Sequence, residues 1–194
     1  MYSAPEDGGP RRLVVTAGAS KLHLKPQAGS ETAHDVSQGA VLKNLGCTQE
    51  LPETWCHVAP LRKGPGGYLP ADQLAPARGP DGVVPHGPDT SRTRARKKDF
   101  DAADTLPCAQ EQGQSFGTCQ AAVARSGGGD ATVVVTFANG FARQLWFTHG
   151  AFMRASATMS GVGTDMDWEL REGIYMIRVD DQRFEISQAF VLGN

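Results

Sequence analysis

Four cysteines, five histidines and three tryptophans are the residues through which this 194-residue chain could do chemistry or hold a ligand. The cysteines fall into two close pairs, Cys47 with Cys56 and Cys108 with Cys119. Neither pair has the short ligand spacing of a zinc site. Four cysteines permit three connectivities, and nearest-neighbour pairing, one bridge in each half of the chain, is the expected one. The alternative is four reduced, buried thiols. A Cys/His peptidase would need an unpaired cysteine at a helix start with histidines after it. Only His149 follows Cys108 and Cys119, and no helix is expected there. Asp165, Asp167 and Glu169 alternate, a pattern that either lines one strand face, surrounds a cation or simply decorates a solvated loop. The chain has no His-Glu-x-x-His, no Gly-x-Ser-x-Gly and neither a P-loop nor a dinucleotide fingerprint. The expectation is a protein that is not an enzyme and needs no metal or cofactor.

Binding is the other chemistry to consider. Trp55 and Tyr68 present aromatic faces with polar tips, which make rigid contacts at small entropic cost. His23 and His57 are expected to flank the same groove, and Trp146 is a candidate further along. Against this, a tryptophan at the start of a strand in a small barrel more often packs over the core, and lone strand histidines are more often plain surface residues.

The elements that must position these side chains are short. With 23 glycines and 12 prolines, 40% hydrophobic and 21% charged residues, the chain favours strands and turns over long helices. A net charge of −2 gives no reason to expect nucleic acid or an anionic membrane as partner. No stretch approaches the ~20 apolar residues of a membrane span. The start of the chain lacks a signal-peptide pattern, and the paired cysteines imply an oxidising compartment. The chain is therefore read as a mature exported protein whose signal peptide has been removed.

Residues 1–12 are polar and expected to be flexible. Strands are expected at 13–16, 21–25, 41–46 and 55–58, with Leu22 and Leu24 on one face and a polar loop carrying Pro52 between the two cysteines. A turn cluster at 26–30 leads to an irregular arm at 31–37; a turn at 64–67 and a 3₁₀ turn ending on Leu74 finish the unit. Residues 77–98 read as a Pro/Gly linker ending in the basic run Arg92, Arg94, Arg96, Lys97, Lys98, solvated or touching an anionic polymer. Residues 99–194 read as an antiparallel meander of six to eight strands. In its clearest hairpin, a three-residue loop 138–140 with a left-handed Gly140 gathers Val133, Val135 and Phe137 with Phe141, Arg143, Leu145 and Phe147 on one face. Trp146 then lies on the wetter face. An even-length turn at Asp180-Asp181 sets Tyr175, Ile177 and Val179 beside Phe184 and Ile186, and a polar loop is expected at 156–167.

The ordered set Leu22-x-Leu24-x-Pro26-x-x-Gly29-Ser30, Gln38-Gly39-x-x-Leu42, Leu45-Gly46-Cys47, Trp55-Cys56-x-Val58 and Gly67-Tyr68-Leu69-Pro70-Ala71-Asp72-x-Leu74 resembles a bacterial SH3 domain. It covers about residues 13–76. Lys25 stands where that family usually has arginine, and Tyr68-Leu69 where it has a Trp or Tyr-Val pair. The resemblance implies a half-open barrel of five or six strands that binds peptides or peptidoglycan in the cell envelope. The second half is similar to a domain that accompanies SH3-like modules in exported alphaproteobacterial proteins. Asp101-Ala102, Pro107-Cys108-Ala109, Gly113-Gln114, Cys119, Val123-Ala124-Arg125, Ala131-Thr132-Val133, Ile177-Arg178-Val179 and Phe184-Glu185-Ile186 carry that likeness. It implies an envelope location and no activity.

The expectation is thus all-β: an SH3-like small barrel (13–76), a linker (77–98) and an antiparallel β-meander sandwich or barrel (99–194). The expected function is a periplasmic binding protein for peptide or peptidoglycan. The alternatives are a structural or inhibitory protein acting on a partner such as a cell-wall hydrolase and, more remotely, the peptidase.

Overall fold

A computed structural model of the chain describes residues 1–50, 52–157 and 165–193. The chain is all-β, with two antiparallel sheets, one of them nearly closed into a barrel. It divides into two units, Met1–Arg78 with Val83–Pro88, and Gly79–Gly82 with Asp89–Asn194.

The first unit contains β1 (Arg12–Val15), β2 (Ala19–His23), β3 (Thr32–Ser37), β4 (Val41–Glu50), β5 (Glu53–Pro60), β6 (Gly67–Pro70) and β7 (Leu74–Pro76). They form one seven-stranded sheet in the order β3-β2-β6-β5-β4-β1-β7. Leu13, Val15, Leu22, Leu42, Val58, Leu69 and Leu74 are its buried core. The expected 3₁₀ turn is present at Ala71–Gln73 and delivers Leu74 to that core.

Several expectations for this unit are corrected. Residues 1–12 are held rather than loose. Asn44, 2% exposed, donates through Nδ2 to the Ser3 and Pro10 carbonyls, and the Cys47 N–H donates to the Tyr2 carbonyl. A buried amide on β4 needs acceptors, and the N-terminal segment supplies them. Leu24 does not share a face with buried Leu22; it is 50% exposed, because a bulge at Leu22/His23 ends the alternation. A second irregularity, between Asn44 and Cys47, interrupts the alternation of β4, and Leu45 is exposed. The arm at 31–37 is the edge strand β3, paired with β2. The loop between the cysteines is shorter than expected, since β4 runs to Glu50 and β5 starts at Glu53. Cys47 and Cys56 are therefore direct cross-strand partners, joined by a disulfide.

The second unit contains α1 (Ser91–Arg96), β8 (Ala102–Ala109), β9 (Gly117–Gly127), β10 (Asp130–Thr136), β11 (Ala142–Thr148), β12 (Ala151–Ala155), β13 (Met166–Arg171), β14 (Ile174–Val179), β15 (Gln182–Ser187) and α2 (Gln188–Leu192). The eight strands are ordered β12-β11-β10-β9-β8-β15-β14-β13, two meanders joined where β15 pairs with β8. The sheet curls round its core. Tyr175 on β14 donates its hydroxyl to the Gly150 carbonyl at 2.5 Å, and its ring lies 5.1 Å from Phe147 on β11. The second disulfide joins Cys108 on β8 to Cys119 on β9.

Both register expectations hold. Val133 faces Leu145 and Val135 faces Arg143, all buried, and Gly140 has φ +84°. Tyr175 pairs with Ile186 and Ile177 with Phe184. Residues 77–98 are not a simple linker. Residues 83–88 return to the first unit, where Arg11 donates to the Gly87 and Pro88 carbonyls. The basic run is not extended linker: Arg92, Arg94 and Arg96 lie in helix α1 and Lys97 and Lys98 follow it, with all but Arg94 exposed. Ser91 and Ala95 are buried, and the Ser91 hydroxyl meets that of Thr132 at 3.0 Å. An alternation of one serine and one alanine is too weak a pattern to announce a buried face. Residues 158–164 of the expected polar loop lie outside the described residues, and β13 already begins at Met166.

Candidate functional site

Residues His23, Trp55, His57 and Tyr68 come together on the first unit. His57 and His23 are both cross-strand partners of Tyr68, and Trp55 is the partner of Pro70 two residues along the same face. Intervening Cys56 and Leu69 point into the core. The strand alternation that turns Cys56 and Leu69 inward thus gathers the other set on the opposite face of the sheet. The His57 and Tyr68 rings are stacked, 4.8 Å apart and 19° from parallel. His23 meets Trp55 edge-on at 5.1 Å, and its Nδ1 is 3.2 Å from the Ser30 hydroxyl.

Trp55 itself is only 3% exposed. Its ring is support for the site before it is a contact surface. The half-buried His57–Tyr68 pair offers the accessible aromatic face. Beside Trp55 opens a cleft of about 440 Å³ lined by Lys25, Pro26, Gln27, Ala28, Pro52 and Glu53. The turn after β2 and the tip of the β4–β5 hairpin supply these residues, so one cationic and one anionic side chain stand on the cleft. The turn and the hairpin tip were legible in the sequence; their convergence on Trp55 was not.

Trp146 belongs to the second unit and to a different arrangement. Arg92 of α1 lies 4.0 Å from the ring centroid and Arg154 of β12, its cross-strand partner, 4.8 Å. Its indole Nε1 is buried with no hydrogen-bond partner among the described residues. Partial desolvation, and after it the charge of Arg154, lower the pKa of the Arg92 guanidinium from its ordinary value. Sequence reasoning did not bring either arginine to Trp146: Arg92 is expected in a linker, and the pairing of Arg154 with Trp146 depends on the β11–β12 register.

The remaining basic residues differ among themselves. Arg94 is fully committed, donating to Asp99, to Asp101 and to the Arg125 carbonyl at 2.7 Å. Both carboxyls are held below the usual range, chiefly by the Arg94 hydrogen bonds. The acidic alternation also resolves. Arg178 binds Asp165 at 2.9 Å, and Asp167 and Glu169 lie opposite Arg178 and Met176 on a charged outer face. These groups do not gather round a common point; no cluster of three metal-ligating side chains occurs among the described residues. A cleft of about 630 Å³ opens beside them, lined by Phe116, Trp168, Arg178 and Arg183 among others, with Arg183 over the Phe116 ring. All four cysteines are in disulfides, so none offers a thiolate nucleophile.

Compared with known proteins, the chain matches no family model, no curated protein and no solved structure. Fold and site define an all-β, disulfide-stapled protein of two units with a cleft beside Trp55 on the first. The two disulfides suggest an oxidising, exported environment, and no helix among the described residues is long and apolar enough to cross a membrane.

Proposed function

We propose that the chain is a non-enzymatic binding protein of the bacterial envelope whose first unit, an SH3-like barrel, holds peptide or peptidoglycan in the cleft beside Trp55. The supporting observation is the convergence of His23, Trp55, His57 and Tyr68 on one sheet face, with Trp55 also lining that cleft. A stacked imidazole–phenol pair gives a flat, rigid surface for a sugar ring or peptide plane. Lys25 and Glu53 offer opposite charges, which suits a ligand carrying both an amine and a carboxylate, as a peptidoglycan stem peptide does. The periplasm is the compartment this reading requires, and the disulfides favour it.

The test is co-sedimentation of the full chain with purified peptidoglycan. Saturable binding that weakens about tenfold in Tyr68→Ala, as for loss of one central aromatic contact, supports the reading. A second reading is a protein partner such as a cell-wall hydrolase, favoured by the larger cleft between Phe116 and Trp168. Tight binding to a hydrolase together with no binding to peptidoglycan would select it.

A further inference from the structure

The arginines of the second unit divide sharply by what they hold. Arg94 has two carboxylates and a carbonyl, Arg143 has Gln182 and the Ser156 carbonyl, and Arg171 and Arg178 each have a carboxylate. Arg92 and Arg154 differ. Among the described residues no protein group accepts a hydrogen bond from either guanidinium; each is set only against the ring of Trp146. The acid nearest in effect to Arg92 is Asp89, whose Oδ1 accepts from the Ser91 N–H, and Arg96 adds further positive charge. Two like charges brought to one indole, with donor forks unspent, form an arrangement completed by an anion.

The arrangement is also preorganised. α1 is fixed to the sheet by the Ser91–Thr132 contact and by the Arg94 network, so Arg92 leaves a constrained backbone. Arg154 projects from the strand position directly opposite Trp146. The backbones that carry both side chains are therefore already ordered when a ligand arrives, which favours binding.

We propose that Arg92, Arg154 and Trp146 form a receptor for a dianionic phosphate group, separate from the cleft beside Trp55 on the first unit. Two guanidinium groups match a dianion in charge and offer forked donors to its oxygens. A phosphodiester, with one charge, leaves one guanidinium uncompensated and binds more weakly.

The test is a titration of the full-length, 15N-labelled chain with inorganic phosphate at pH 7.5 and constant ionic strength, reading the indole N–H signals of the three tryptophans. Trp146→Phe assigns the relevant signal. A saturable shift of the Trp146 indole is expected, with Trp55 and Trp168 unmoved. Arg92→Gln and Arg154→Gln, both exposed, each weaken it about tenfold or more, as for loss of a charge-assisted hydrogen bond. The two unmoved indoles report that each variant remains folded. Dimethyl phosphate is expected to produce a weaker response. Vesicles containing phosphatidic acid distinguish the source: a response to phosphate alone indicates a soluble phosphate, and one to both a lipid headgroup. The proposal is overturned by the absence of a saturable Trp146 shift with phosphate, by equal affinity in either glutamine variant, or by a response to vesicles without one to free phosphate.

Discussion

At the scale of single residues, buried polar groups are tied to specific partners, and their removal has predictable costs. Tyr175 is fully buried and its hydroxyl donates to the Gly150 carbonyl. Tyr175→Phe is expected to lose about 1–2 kcal/mol by denaturant unfolding, the cost of one unmet buried hydrogen bond; an unchanged midpoint would show that water replaces the partner. Asp99 and Asp101 have pKa values depressed by Arg94. Groups whose folded pKa is lowered contribute stability above their unfolded value, near 4, and lose it as pH falls through the folded values. Stability measured from pH 6 down to pH 2 should therefore fall, and Arg94→Ala should flatten that part of the profile. An identical acid slope in the variant would contradict the assignment. The candidate aromatic residues were legible by type, but their neighbours were not. Trp55 is named by the sequence, whereas Lys25 and Glu53 reach its cleft only because a bulge after Leu22 and a tightly turned hairpin bring two distant turns together.

At the scale of elements, alternation was the dependable signal, and it failed where the backbone departs from the simple pleat. The hairpin β10–β11 was readable because one register buries Val133, Val135, Leu145 and Phe147 and the other exposes them. Leu24 was misread because a bulge breaks the period. Helix α1 was hidden because its buried residues are small and its arginines resemble a solvated run. Arg143 was placed correctly on the apolar face, yet nothing in the sequence shows that Gln182 and the Ser156 carbonyl satisfy it there. It is 2% exposed, with Asp180 at 3.7 Å. Arg143→Ala is expected to destabilise by about 3–5 kcal/mol, and Arg143→Met by clearly less, since a long apolar chain refills the space. Comparable losses for both would mean that the charge, not the packing, is the larger contribution.

At the scale of the whole molecule, each unit has its own core and its own disulfide. Each bridge closes a loop short enough that its removal costs on the order of 3 kcal/mol. Replacing Cys47 and Cys56 together by alanine is expected to lower one thermal transition and leave a second in place; a single transition shifted as a whole would show that the units unfold as one. The division into two units was visible in composition, but the exchange of short segments between 79 and 88 was not, because it rests on backbone bonds such as Gly87 N–H to the Gly9 carbonyl.

The binding role proposed for the first unit is tested most directly by mapping amide shifts of the full chain during titration with a soluble peptidoglycan fragment bearing its stem peptide. Shifts concentrated at His23, His57 and Tyr68 and along residues 25–28 and 52–53 are the expected result. No saturable shift there, or shifts confined to the second unit, would contradict it.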